Sequence, residues 1–211
     1  MNDHYKITIQ TWKKVAKMYE EKFMDFDIYD DSYTLFCSEL NNPKGSILEI
    51  GCGPGNITRQ LRSQLPEVSI LATDVASEMI EVAQNNVDNV QFEVLDARDI
   101  DSLKEKFDAI MCGFCVPYLD KADLGFLIQN SATLLNNRGI IYLSFIEGNY
   151  SDSQLQIGVT GDSMKVHYYQ ESDVLRFFEE NSIDPIQTIR VPYPLADGSE
   201  QIHLILLGRK N

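Results

Sequence analysis

Three glycines at alternate positions, Gly51, Gly53 and Gly55, follow directly on an apolar run in the segment ILEIGCGPGN. Glycines in such a turn permit left-handed backbone angles and let a ligand approach the main chain closely. A dinucleotide site uses G-x-G-x-x-G and leaves a helix N-terminus open to a pyrophosphate. Here the spacing is G-x-G-x-G, with Asn56 where the last dinucleotide glycine would fall, and Glu49 just upstream of the turn. A carboxylate there repels a pyrophosphate and attracts a cationic ligand.

Two further carboxylates close apolar runs in the same manner. Asp74 ends SILATD, where a carboxylate can accept both hydrogen bonds of a ribose diol; the alternative is a solvated turn residue. Asp96-Ala97 ends QFEVLDA, where ligand contact competes with capping of a following helix. Cys112-Gly-Phe-Cys115 has redox or zinc spacing, but no second such pair accompanies it and Val116-Pro117 interrupts any helix there. Ordinary half-buried thiols are the plainer reading. The three histidines, His4, His167 and His203, are far apart in sequence, so no metal site is expected.

The elements that must position these residues alternate regularly. Apolar runs at Ser46–Gly51, Ser69–Asp74, Val90–Asp96, Phe107–Gly113, Gly139–Ile146, Pro185–Val191 and Gln201–Gly208 predict seven strands, several continuously apolar as expected when both faces are covered. Ala76, Met79, Ile80, Ala83 and Val87 repeat at helical spacing, as do Leu124, Leu127, Ile128 and Leu135, with Asp120 and Asp123 at the start of the latter helix and Gly139 at its end. Val174, Phe177 and Phe178 mark another helix. The alternation predicts an α/β, doubly wound, mostly parallel seven-stranded sheet with helices on both faces. Only a short Pro- and Gly-containing connection separates the last two runs, too short for a crossover, so they predict an antiparallel C-terminal hairpin.

One domain is expected for 211 residues, with residues 1–42 a helical N-terminal part before a core at 46–211. Trp12, Val15, Ala16, Tyr19 and Phe23 form one helical stripe, which fits either a helix packed on the sheet edge or a lid over a ligand. The connection at 147–169 is the variable element, and its Ser-, Asp- and Gly-rich part reads as a mobile or ligand-ordered loop. A formal charge of −14 opposes nucleic acid or an anionic membrane as main partner. The polar first thirty residues lack a signal-peptide core and no run suits a membrane span, so a cytoplasmic protein is expected.

The segments ILEIGCGPGN, LATDVASEMIEVA, VLDARDI and FDAIMCGFCVPYL, in this order, resemble the successive signatures of class I S-adenosylmethionine-dependent methyltransferases of the small-molecule type, from about Ser46 to Leu143. The resemblance implies a Rossmann-like fold, S-adenosyl-L-methionine as cofactor and methyl transfer to a small molecule. By it, Gly51, Cys52, Gly53 and Gly55 would wrap the methionine moiety, with Glu49 and the carbonyl of Cys112 or Gly113 near its ammonium. Asp74 would hold the ribose, Val75 and Met79 the adenine ring, Asp96 its amino group and the Ala97 amide a ring nitrogen, with Tyr19 as a lid tyrosine. Two departures stand out: Ala76 replaces the usual Ser or Thr cap, and Ser182-Ile183 replaces a Gly-Phe pair.

A sulfonium donor is already activated, so the protein must chiefly align it and exclude water; a base is needed only for a protonated acceptor. Candidates for that are Tyr118, where many relatives carry His, and His167, which reads more readily as an exposed loop residue. Glu147 and Tyr150 fit a pocket or the surface. Two other functions remain open at this stage: a catalytically idle cofactor-binding protein that acts through a protein partner, and a nicotinamide-dependent oxidoreductase, which the glycine spacing and late hairpin oppose.

Overall fold

The computed structural model describes residues 3–158 and 161–211. Its centre is a seven-stranded sheet built from β1 (Ser46–Ile50), β2 (Ser69–Asp74), β3 (Gln91–Val94), β4 (Phe107–Cys112), β5 (Leu135–Ile146), β8 (Ile183–Pro194) and β9 (Glu200–Lys210). The strand order is β3-β2-β1-β4-β5-β9-β8. The first five strands are parallel, and β9 joins β5 antiparallel. The doubly wound sheet with its antiparallel C-terminal hairpin is therefore present as the apolar runs predict.

Alternation along the strands sends side chains to two apolar layers. Leu48, Ile50, Ile110, Ile141 and Leu206 pack on one face, against α5 (Lys121–Leu134) and α6 (Glu171–Glu180). Ile47, Met111, Tyr142, Ile205 and Leu207 pack on the other, against α2 (Asp30–Glu39) and α3 (Asn56–Gln64). Asp120 caps α5 by accepting from the Ala122 and Asp123 amides, each at 3.0 Å. Sequence places the end of this helix at Gly139; it ends at Leu134, and β5 begins at once. Arg138, at φ 65°, and Gly139 belong to an irregular stretch of β5, where pairing with β4 shifts between Phe107 and Ala109.

The strand order reverses between β1 and β4, so their carboxyl ends open a crevice. Over it lies α1 (Asp3–Phe23), tied to α4 (Ser77–Asn86) by Lys13 Nζ donating to Ser77 Oγ at 3.1 Å and by Asn86 Nδ2 donating to Glu20 at 2.8 Å. The variable connection differs from its reading as a mobile loop. It carries a hairpin of β6 (Gln154–Ile157) and β7 (Ser163–Val166), which Thr11 Oγ1 grips by donating to the Ser163 carbonyl at 2.8 Å. Val159 and Thr160 of that connection lie outside the described residues.

After α6, Ser182 takes φ 55°. A Cβ in this left-handed region costs energy that glycine avoids. Ser182→Gly should raise the urea midpoint with an unchanged slope, a gain of about 0.5–1 kcal/mol. A lower midpoint would contradict this.

Candidate functional site

The glycine turn is pinned from beneath. The amides of Gly51 and Cys52 both donate to the Thr73 carbonyl, at 2.8 and 2.9 Å, and Thr73 Oγ1 donates back to the Glu49 carbonyl. Gly51, Gly53 and Gly55 have φ of 73°, 54° and 90°. At Gly51 a Cβ would stand 2.9 Å from Cys115 Cβ, so both backbone angle and space require glycine. Gly55 sits at the N-cap of α3, with no side-chain cap.

Asp74 joins this turn to the next. One carboxylate oxygen accepts from the Gly53 amide at 3.0 Å and the other from the Ala76 amide at 2.8 Å. The second bond fixes the backbone of Ala76, the N-cap residue of α4, which has no side-chain cap of its own. Burial pushes Asp74 up to about 6, against the pull of these amides.

Glu49 is the anomaly of the sheet. It is 1% exposed, and neither carboxylate oxygen has a hydrogen-bonding partner among the described residues. Desolvation first, then the nearby Asp74, push it up to about 8, with Thr58 of α3 acting in opposition. A buried acidic group without a partner is costly, and a cation arriving at the turn would relieve it.

Two adjoining cavities meet at the turn. The first, about 830 Å³ including its open mouth, is walled by Gly51, Gly53, Asp74, Val75 and Met79, then by Asp96, Ala97 and Gly113. Helix α1 supplies Tyr5, Thr8, Ile9, Trp12 and Tyr19 to the same wall. The second, about 1090 Å³ including its mouth, shares Tyr19, Gly51, Gly53, Gly113, Phe114 and Tyr118 with the first. Cys52 faces only the second.

Other residues singled out in the sequence are placed differently. Glu49, Gly55 and Cys112 line neither cavity and stand behind the walls. Asp96 lines the first, but its carboxylate is held by Arg98: Oδ1 accepts from the backbone amide and Nε at 2.9 Å each, and Oδ2 from Nη2 at 2.5 Å. Tyr118 lies in both walls, its ring edge-to-face with Trp12 at 5.1 Å. His167 is in neither wall and is not an exposed loop residue; it is buried, stacked on Tyr150 at 5.5 Å, with its amide donating to the Pro117 carbonyl. Glu147 pairs with Arg190 at 2.8 Å, and the Tyr150 hydroxyl accepts from the Lys121 amide at 3.3 Å, both away from the cavities. Cys112 and Cys115 are free thiols, and burial raises Cys115 after its hydrogen bond with Cys112.

Tyr19, Phe23 and Tyr118, singled out in the sequence, line the second cavity; sequence reasoning missed what the last two strands bring to it. Phe23, Phe26, Tyr29, Tyr193 and His203 line it. His203 pairs with Ile146 at the carboxyl end of β5, because β9 runs antiparallel and so begins where the parallel strands end. The predicted hairpin carried that signal: early residues of β9 must lie beside the crevice.

Residues 47–139 match the family described as "Methyltransferase domain". The malonyl-[acyl-carrier protein] O-methyltransferase of Bacillus anthracis is 31% identical over 140 residues, 65% of this chain and 51% of that protein. The chain spans about half the length of the curated relatives it matches. The structure of Burkholderia thailandensis 1,6-didemethyltoxoflavin-N1-methyltransferase, with 1,6-didemethyltoxoflavin and S-adenosylhomocysteine bound, superposes with TM-score 0.74 at 16% identity, over 99% of this chain and 89% of that one. An S-adenosylmethionine-dependent methyltransferase from Clostridium acetobutylicum gives 0.70 at 16%, over 95% and 99%.

The buried Glu49 leaves a mark on stability. Below pH 4.5, its ordinary value, the group is protonated whether folded or not; from there to about 8 only the unfolded chain ionises it. Rising pH therefore favours unfolding across this window. Glu49→Gln should flatten the decline of unfolding free energy between pH 5 and 8 by at least ~1 kcal/mol, one pKa unit being worth about 1.4. Parallel profiles for variant and wild type would contradict the assignment.

Proposed function

We propose that this chain, which belongs to the class I S-adenosylmethionine-dependent methyltransferases, transfers a methyl group from S-adenosylmethionine to a small-molecule acceptor. The observation that carries this reading is the meeting of two cavities at the glycine turn, one walled by that turn and the strand-end carboxylates Asp74 and Asp96, the other by aromatic side chains.

The first cavity suits the cofactor in chemistry as well as size. Gly51 and Gly53 offer bare backbone to the methionine part, and the carboxyl group of Glu49 lies behind them, where a cationic ligand would favour its ionised form. Asp74 is placed to accept from a ribose diol once its amide bonds have fixed it. Val75 and Met79 give an apolar seat for the base, with the Ala97 amide beside it. Because Arg98 already occupies both Asp96 oxygens, Asp96 contributes to adenine recognition only through its remaining lone pairs. The Gly113 carbonyl, or that of Cys112 behind it, is the acceptor for the ammonium.

When bound, S-adenosylmethionine supplies a methyl group on a sulfonium that leaves as a neutral thioether. The protein's work is alignment and exclusion of water. Tyr19 and Tyr118, common to both walls, border the line along which donor and acceptor must face each other. Helix α1 acts as the lid, through Tyr5, Trp12 and Tyr19.

The wall of the second cavity contains no Lys or Arg, and the chain carries −14, which favours a small molecule over nucleic acid and a cytoplasmic setting away from anionic membrane. Among the described residues no helix is long and apolar enough to cross a membrane. A relative named for 1,6-didemethyltoxoflavin supports an acceptor of small size.

Incubation with S-adenosylmethionine and a small-metabolite extract should release S-adenosylhomocysteine while one metabolite gains a methyl group, both detected by mass spectrometry. Release equal to that of heat-denatured protein, across extracts, would count against the activity.

A further inference from the structure

Among the described residues, no Lys, Arg, Asp or Glu side chain lines the second cavity. Its polar groups are Asn56, Gln156, Gln201, tyrosine hydroxyls and one imidazole, His203. An anionic acceptor would find no cation there, and a small hydrated cation would lose water without gaining a carboxylate. The wall is instead aromatic, with Phe26, Tyr29, Phe114 and Tyr193 packed around His203, which suits a flat molecule.

His203 is held rigidly. Its Nδ1 lies 2.6 Å from the Tyr29 hydroxyl, and its ring stacks on Tyr193 at 4.5 Å and 14°, with Phe114 at 4.9 Å. Nε2 is the imidazole nitrogen that Tyr29 does not engage. The Tyr29 hydroxyl can donate to or accept from Nδ1; in the tautomer with the proton on Nδ1, Nε2 is the acceptor.

We infer that the second cavity takes an uncharged planar acceptor bearing an O–H or N–H, and that His203 Nε2 receives that proton during methyl transfer, with Tyr29 as the positioning residue. The inference rests on the reading of the first cavity as the cofactor site. In the step, the acceptor atom forms a bond to the methyl carbon while the carbon–sulfur bond breaks and its electron pair stays on sulfur. The acceptor's proton passes to Nε2 and later to solvent. Charge is conserved locally, since the sulfonium becomes neutral as the imidazole becomes cationic. Burial pushes free His203 down to about 4, so it is neutral and ready to accept at physiological pH, and it gains the proton only as the forming bond makes the acceptor acidic.

The test uses the whole protein, with and without saturating S-adenosylhomocysteine, and four probes: 1-naphthol, naphthalene, 1-naphthoate and N,N,N-trimethylanilinium. Nitrogen-15 NMR of the imidazoles, assigned through His203→Gln, should show His203 protonated on Nδ1 and its Nε2 resonance shifting when 1-naphthol binds. 1-Naphthol should bind at least about tenfold more tightly than either charged probe. His203→Gln should weaken 1-naphthol about fivefold or more while leaving naphthalene and S-adenosylhomocysteine affinities unchanged. A proton on Nε2, tighter binding of a charged probe, or an unchanged ratio of 1-naphthol to naphthalene in the variant would overturn the inference. The tautomer is read in the wild type, so that arm stands if the variant does not fold. Failure of S-adenosylhomocysteine to bind, with 1-naphthol still bound at His203, would instead strike the cofactor reading.

Discussion

The structure turns on the pair of bonds that Asp74 accepts, from Gly53 on one side and Ala76 on the other. One carboxylate at the end of β2 thereby fixes both the glycine turn after β1 and the start of α4. The three left-handed glycines of that turn cannot be held by side-chain packing, since they have none; Thr73 holds Gly51, Asp74 holds Gly53, and the Gly55 amide donates to the Cys52 carbonyl within the turn. Everything that lines the first cavity at its floor is positioned from this junction. It falls where the strand order reverses, which is where a doubly wound sheet has room for a ligand.

Electrostatics follows from the same placement. Glu49 is buried and Asp74 half-buried, and desolvation displaces both upward, so a cation at the turn would favour their ionised forms. Relief by a cation is a driving force a pyrophosphate site does not have. Beyond the turn the walls change: the second cavity has aromatic faces and no charged side chain. A cation-seeking floor beside a neutral aromatic chamber matches a sulfonium donor meeting an uncharged acceptor.

What could be read in the sequence was what local backbone demands. Gly51, Gly53 and Asp74 stand in the first cavity because a turn of that kind, after a strand of that kind, admits few other residues. The seven strands were legible from their apolar runs, and the final hairpin from a connection too short for a crossover. The hairpin of β6 and β7 was not: its strands are short and polar, and α1 holds it through contacts distant in sequence, such as Thr11 with Ser163. Gly139 suggested a helix end, but the chain turned into β5 earlier and used the glycine within an irregular strand. Tyr29, Tyr193 and His203 share a pocket only through tertiary folding, and nothing local marks them as partners. His167, beside two tyrosines, attracted attention in sequence, yet the fold spends it on packing against Tyr150.

The most direct measurement of the central claim is a calorimetric titration with S-adenosylhomocysteine of the wild type and of Asp74→Ala. Saturable binding in the wild type, weakened at least about tenfold in the variant, is the result this account requires. No binding by folded wild-type protein, or equal affinity in the two, would contradict it.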